Sequence, residues 1–187
     1  MAFFELNEKL KQRKQYIENE QYYAYCLFCL PGTEITLANE LNNNYDYLIA
    51  LPVLKMSHKS VNGEKFDVQV PLVSSYIFVY MLKDRDINKI TTSRFHFRVL
   101  SRDVDNGILA GQDLVYANWL FATDGCISLS EAMKINGRVK IINGPLKRME
   151  GHIVQYSKRS RNCLIEIEFM SQTIKTWLPF EWVDAKI

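Results

Sequence analysis

The sequence predicts an α+β chain of two modules: a largely antiparallel sheet flanked by helices, followed by a small β-barrel. Three observations predict it. Strand-like apolar runs are interspersed with helical patterns up to about residue 122, after which only short strands follow. Periodicity is lost over 123–135, a stretch holding Gly125 and Ser130-Glu131-Ala132, which reads as a linker. Charge divides at nearly the same place: residues 1–130 carry 13 Lys+Arg against 15 Asp+Glu, and residues 131–187 carry 10 against 6. The basic C-terminal part points to an anionic partner.

Taken in order, residues 1–20 form an N-terminal extension. Phe3, Leu6, Leu10 and Ile17 stand there at near-helical spacing among many charges, which fits an amphipathic helix or a frayed arm. The first module, 21–122, opens with YYAYCLFCL (22–30), a run of β-formers that reads as a buried strand ended by Pro31-Gly32. Thr33 is placed to cap a helix with Ile35, Ala38 and Leu41 on its apolar face, and Asn42, Asn43 and Asn44 to stop it. YLIALPVLKM (47–56) reads as one strand region. It leads to Asn62-Gly63, a tight-turn pair, and to the alternating EKFDVQV. YIFVYML (76–82) is a further buried strand, DINKITT a short helix, and FHFRVL (95–100) the module's last strand. Leu109 to Phe121 has helical spacing through Leu114, Ala117 and Leu120. In the second module, 136–187, strands are expected at about 138–143, 152–157, 163–169 and 173–178.

No apolar run approaches the roughly 18 residues of a membrane span, and the start MAFFELNEKLKQRKQ is too charged for a secretory signal. Four Cys in 187 residues do not make a disulfide framework, so a cytoplasmic protein with reduced thiols is expected, and it is expected to act as a monomer. Cys26-Leu27-Phe28-Cys29 has the spacing of a redox or zinc half-site. Strand residues three apart face opposite ways, however, and no second Cys or His pair completes a ligand set. No metal and no cofactor are therefore expected. There is no Gly-rich phosphate loop, no nucleophile elbow and no recognisable pairing of carboxylates, so catalysis is not expected either.

The stretch VKIINGPLKRMEGHIV (139–154) alternates, turns at Asn143-Gly144-Pro145, and places Lys147 and Arg148 on a loop before alternating again. Lys158, Arg159 and Arg161 follow in the next strand connection. Two such loops can sit side by side and form one cationic patch for nucleic acid; the alternative is a solvated charged face.

Gly144-Pro145-Leu146-Lys147 followed by Glu150-Gly151 between apolar strands resembles a KOW motif, with Arg148 where the family usually has Gly. YYAYCLFCLPGTE and VPLVSSYIFVYM resemble two parts of the N-terminal (NGN) domain of NusG-family factors. The first matches the opening strand, turn and helix start; the second matches the strand usually preceded by Phe-Pro-Gly-Tyr. Ser74-Ser75 stand for Pro-Gly, and Tyr76 keeps the Tyr. The resemblance runs from about residue 20 to the end. Within the family, GPLKRMEGHIVQYSKRSRNCLIEIEFM is similar to LoaP-type antiterminators, and Met170-Ser171-Gln172 stands where the general factor has Phe-Gly-Arg. The resemblance implies an NGN-type antiparallel sheet flanked by helices and an SH3-like KOW barrel. It implies an operon-specific elongation and antitermination factor that binds the β′ clamp helices of RNA polymerase. Leu72, Val73 and Tyr76 would dock, with Tyr22 and Tyr23 nearby. Non-template DNA would be a further contact. The KOW domain would bind nascent RNA, a structured leader, through Lys147, Arg148, Lys158, Arg159 and Arg161, or bind a protein partner. The alternatives are a general NusG-type elongation factor and a ribosome-associated RNA-binding KOW protein.

Overall fold

β1 (Tyr22–Cys29) is apolar on both faces, and the first of two units is built around it. The computed structural model describes residues 3–92, 94–101 and 106–183, without the side chains of 58–61 and 65. It is α+β. The first unit comprises Met1–Leu54 with Pro71–Cys126, the second Lys55–Val70 with Ile127–Ile187.

In the first unit β1 is an inner strand of an antiparallel sheet ordered β2-β5-β1-β6, where β2 is Leu48–Pro52, β5 Tyr76–Leu82 and β6 Phe97–Val99. Helices α1 (Glu8–Asn19) and α2 (Glu34–Asn44) pack against β2 and β5. Helix α3 (Gly111–Ala122) covers the face that carries Phe78 and Tyr80. There the Tyr80 and Phe121 rings lie 4.3 Å apart, and the Tyr80 hydroxyl donates to the Ala117 carbonyl at 2.5 Å. This double cover explains why every residue of β2 is buried.

Residues 1–20 are part of this core rather than an appendage. Phe4, Leu6, Leu10 and Ile17 are all buried. Arg13 Nη1 donates to the carbonyls of Asn42 (2.8 Å) and Tyr45 (2.5 Å), satisfying groups that the end of α2 leaves open. α2 itself differs from expectation at both ends. The Thr33 hydroxyl donates to the Leu30 carbonyl at 2.7 Å and does not cap the helix. The asparagine triplet stays helical, because the buried Asn42 amide bonds both backbone groups of Ala50 on edge strand β2, each at 2.8 Å. The helix stops at extended Tyr45.

YLIALPVLKM divides at Val53 into β2 and β3 (Leu54–Val61), which turns into β4 (Glu64–Pro71) through Asn62 and Gly63, both at positive φ as a tight hairpin requires. β3 lies between β4 and β7 (Cys126–Ile127) in a three-stranded sheet. The sequence reading puts this hairpin in the 21–122 module. In the structure it groups with the second unit, where the Lys55 ammonium donates to the Trp177 carbonyl (2.9 Å) and to Thr176 Oγ1 (3.3 Å). The expected linker 123–135 likewise holds β7 and β8 (Ser130–Ile135).

The rest of the second unit is β9 (Arg138–Asn143), β10 (Ile153–Ser157), β11 (Asn162–Phe169) and β12 (Gln172–Trp182). With β8 they form a sheet ordered β10-β11-β12-β8-β9, in which β12 and β8 run parallel and the other neighbours antiparallel. Ala132, Ile141, Cys163, Ile165, Ile167, Leu178 and Phe180 are among its buried residues, covered on one side by a 3-10 segment, Pro145–His152, that buries Leu146 and Met149. Among the described residues no helix is long and apolar enough to cross a membrane.

Because Ile17 is fully buried, Ile17→Ala should lower stability by about 2–5 kcal/mol in urea denaturation. A cost below about 0.5 kcal/mol would mean that α1 is a frayed arm.

Candidate functional site

A strained bend sets up the first site. Ser75 has φ 72°, a left-handed conformation that costs a non-glycine residue about 1–2 kcal/mol. Two bonds hold it. The Ser75 N–H donates to Glu34 Oε1 at 2.7 Å, and the Ser75 carbonyl accepts from the Cys29 N–H at 2.9 Å. Glu34, in the first turn of α2, is 4% exposed, so its bond is made away from water. Ahead of the bend, the Leu72 N–H donates to the Val53 carbonyl at 2.8 Å.

The chain leaving the bend sets Tyr76 directly across from Phe28, and Phe28 directly across from Arg98. All three therefore face the same way. The Phe28 and Tyr76 rings meet edge-on at 5.7 Å, and the Arg98 guanidinium lies 5.0 Å from the Phe28 ring centre. α3 covers the neighbouring Phe78 and Tyr80, whereas Phe28 and Tyr76 remain half-buried and Arg98 exposed. The result is an aromatic strip with a cation at one end, running across β5, β1 and β6. Half-buried Leu72 and Val73 precede it in the chain. Aromatic residues and Arg are the side chains that anchor protein interfaces most often. Phe28 and Arg98 are additions to the sequence-derived set. Only the strand register reveals them.

Tyr22 and Tyr23 lie elsewhere. Tyr22 pairs with Leu82, six positions along β1 from Phe28, which is about 20 Å at ~3.4 Å per residue. It packs on Phe121 at 5.5 Å and donates to Asn118 Oδ1 at 3.1 Å. Tyr23 points to the opposite face, where the Lys83 ammonium sits 5.1 Å from its ring centre. The structure brings Leu72, Val73 and Tyr76 near one end of the sheet and sets the two N-terminal tyrosines at the other.

In the second unit, the Gly-Pro-Leu-Lys segment is first a packing device. Gly144 has φ 88°, and a Cβ there would fall 2.8 Å from both Cα and Oγ of Ser130. Ser130 Oγ accepts from the Leu146 N–H at 3.0 Å. Lys147 and Glu150 then clip the backbone of β9. The Lys147 ammonium donates to the Ile141 carbonyl and to Glu150 Oε2, both at 3.0 Å, while Glu150 Oε1 accepts from the Ile141 N–H at 3.3 Å. Lys147 is thus engaged in the fold. Arg148 is exposed beside it, and Lys158, Arg159 and Arg161 are exposed in the β10–β11 turn. A cleft of about 950 Å³ gathers Arg159 and Arg161 with Lys55 and Trp177; Lys147 and Arg148 are not among its walls.

None of the four cysteines is in a disulfide. Cys26 and Cys29 are both buried in β1, and burial raises both thiol pKa values. Among the described residues there is no cluster of three His, Cys, Asp or Glu that could hold a metal ion.

No family model and no curated protein matches the chain. Among solved structures, one of NusG from Thermotoga maritima, concerned with domain interaction in that protein, is similar with a TM-score of 0.47 at 12% identity, covering 85% of this chain and 94% of that one.

Two measurements check this geometry. Ser75→Gly relieves the left-handed strain and should stabilise the protein by up to about 1 kcal/mol in urea denaturation; a loss of stability would contradict the strained bend. For the thiols, burial pushes Cys163 up to about 12 and also raises Cys26 and Cys29, so little thiolate forms at those sites near pH 8. Native protein should therefore show one fast-reacting thiol towards a disulfide reagent, the partly exposed Cys126, and Cys126→Ser should abolish the fast phase. Fast labelling of two or more thiols would contradict this.

Proposed function

We propose that this chain is a transcription elongation and antitermination factor of the NusG type. It docks on the β′ clamp helices of RNA polymerase through Tyr76, Phe28 and Arg98, with Leu72 and Val73 alongside. The aromatic strip is the observation that carries the proposal: it is built by the same segment that resembles the Phe-Pro-Gly-Tyr region, and Ser75 adopts a left-handed backbone where that pattern has Gly. Bound there, the factor holds the clamp closed and disfavours paused and terminating states. This is binding energy biasing a two-state machine, with no chemistry of its own. The second unit binds nascent RNA, a structured leader, through Arg148 and the Lys158–Arg161 turn, and thereby confines the factor to particular operons.

Full-length protein should capture RNA polymerase from a lysate and raise read-through of an intrinsic terminator. Tyr76→Ala should weaken clamp-helix binding by about 30-fold or more, the scale of an interface anchor. Its urea midpoint must be measured alongside, since Tyr76 is half-buried. Tyr23→Ala, on the other face, should leave binding unchanged. Equal affinity of wild type and a folded Tyr76→Ala variant would remove the proposed dock.

A further inference from the structure

The second unit contains a cleft whose composition suits more than a phosphate backbone. Its walls come from the β3–β4 hairpin (Lys55, Met56, Ser57, Asp67), from the β10–β11 turn (Arg159, Ser160, Arg161) and from the outer side of β12, where Trp177 and Pro179 lie. Its volume, about 950 Å³, is at the upper end of the roughly 300–1,000 Å³ typical of small-molecule sites.

Trp177 is the unusual wall. Along β12 the buried residues are Thr176, Leu178 and Phe180, so alternation turns Trp177 outward, and it remains 39% exposed. Its cross-strand neighbour is Leu164, and Pro179 is opposite Asn162, so the indole rests beside apolar side chains on an outer face that otherwise carries polar groups such as the Lys175–Glu166 ion pair. The basic turn is fixed beside it, because the Arg161 carbonyl accepts from the Phe180 N–H at 2.9 Å. Arg161 has φ 52°, and Arg159 and Arg161 are both exposed. The hairpin wall is also fixed in place: the Lys55 ammonium spans to the Trp177 carbonyl, and burial lowers its pKa. Asp67 and Glu181 line the cleft as well. Against them stand Lys55, Arg159 and Arg161, so the walls keep a net positive charge.

An exposed aromatic platform beside cations is the means by which proteins hold unpaired bases. Stacking accepts any base, and the cations follow the backbone. We propose that this cleft seats an unpaired nucleotide of an RNA strand, its base stacked on Trp177 and its flanking phosphates held by Arg159 and Arg161. The proposal rests on the RNA-binding reading of the second unit and divides that unit's cations into two groups: Arg148 serves paired RNA, and the cleft serves single-stranded RNA.

The test uses the full-length chain and two fluorescent probes, a dodecameric oligouridylate and a perfectly paired RNA hairpin, read by anisotropy at low salt. Trp177→Leu should weaken oligouridylate binding by roughly 5- to 150-fold and leave hairpin binding unchanged. Arg159→Ala with Arg161→Ala should reduce the salt slope for oligouridylate by about 1.4, at about 0.7 for each phosphate contact. Urea midpoints near wild type establish that both variants fold, and oligouridylate should quench tryptophan emission in wild type but not in Trp177→Leu. Unchanged oligouridylate affinity in folded Trp177→Leu would overturn the cleft proposal, and if hairpin binding still fell on Arg148→Gly, the broader RNA reading would survive it. Failure of both probes to bind wild type would sink that broader reading too. A polyglutamate peptide that binds wild type more tightly than oligouridylate would overturn the proposal in favour of an acidic protein partner.

Discussion

A buried hydrogen bond, from the Ser75 N–H to the Glu34 carboxylate, anchors the bend that leads into β5 in the first unit. It joins the first turn of α2 to the bend that starts β5, and the same bend accepts a bond from the end of β1 at Cys29. A left-handed serine costs about 1–2 kcal/mol. A hydrogen bond to a charged group contributes about 1.5–3 kcal/mol, so this one bond offsets the strain. With the bend fixed, the antiparallel register places Tyr76 beside Phe28 and Phe28 beside Arg98. The bend thus fixes where β5 enters the ladder that carries the aromatic strip.

Side chains satisfying backbone groups is the recurring device of both units. Asn42 bonds both polar groups of Ala50 on edge strand β2, and Lys147 with Glu150 does the same for Ile141 on edge strand β9. Each leaves an edge less able to recruit another strand. In the second unit this sorts the cations by role. Lys147 is held by the fold, while Arg148, Lys158, Arg159 and Arg161 keep their charge in solvent.

Local chemistry was legible where one residue type had only one use. Asn62-Gly63 reads as a hairpin turn because two consecutive positive φ values demand it, and the Gly144 turn reads from its one positive φ before a proline. α3 and most strands of the second unit follow from periodicity alone. Long-range partners were not legible. The near-helical spacing in residues 3–20 fits a helix, but that it packs into the core depends on Arg13 meeting carbonyls some thirty residues away. Asn42 reads as a helix stop by composition, and only its bonds to Ala50 explain why it stays helical. Phe28 and Arg98 join Tyr76 through a register that no local pattern encodes, and Tyr22 and Tyr23 are separated from it by the same register.

The most direct test places a photo-crosslinking amino acid at position 98 and, separately, at position 23 of the full-length chain, each mixed with RNA polymerase and irradiated. Docking through the strip predicts adducts on the β′ clamp helices from position 98 and none from position 23. Adducts from position 23 with none from position 98, or no polymerase adduct from either, would contradict it.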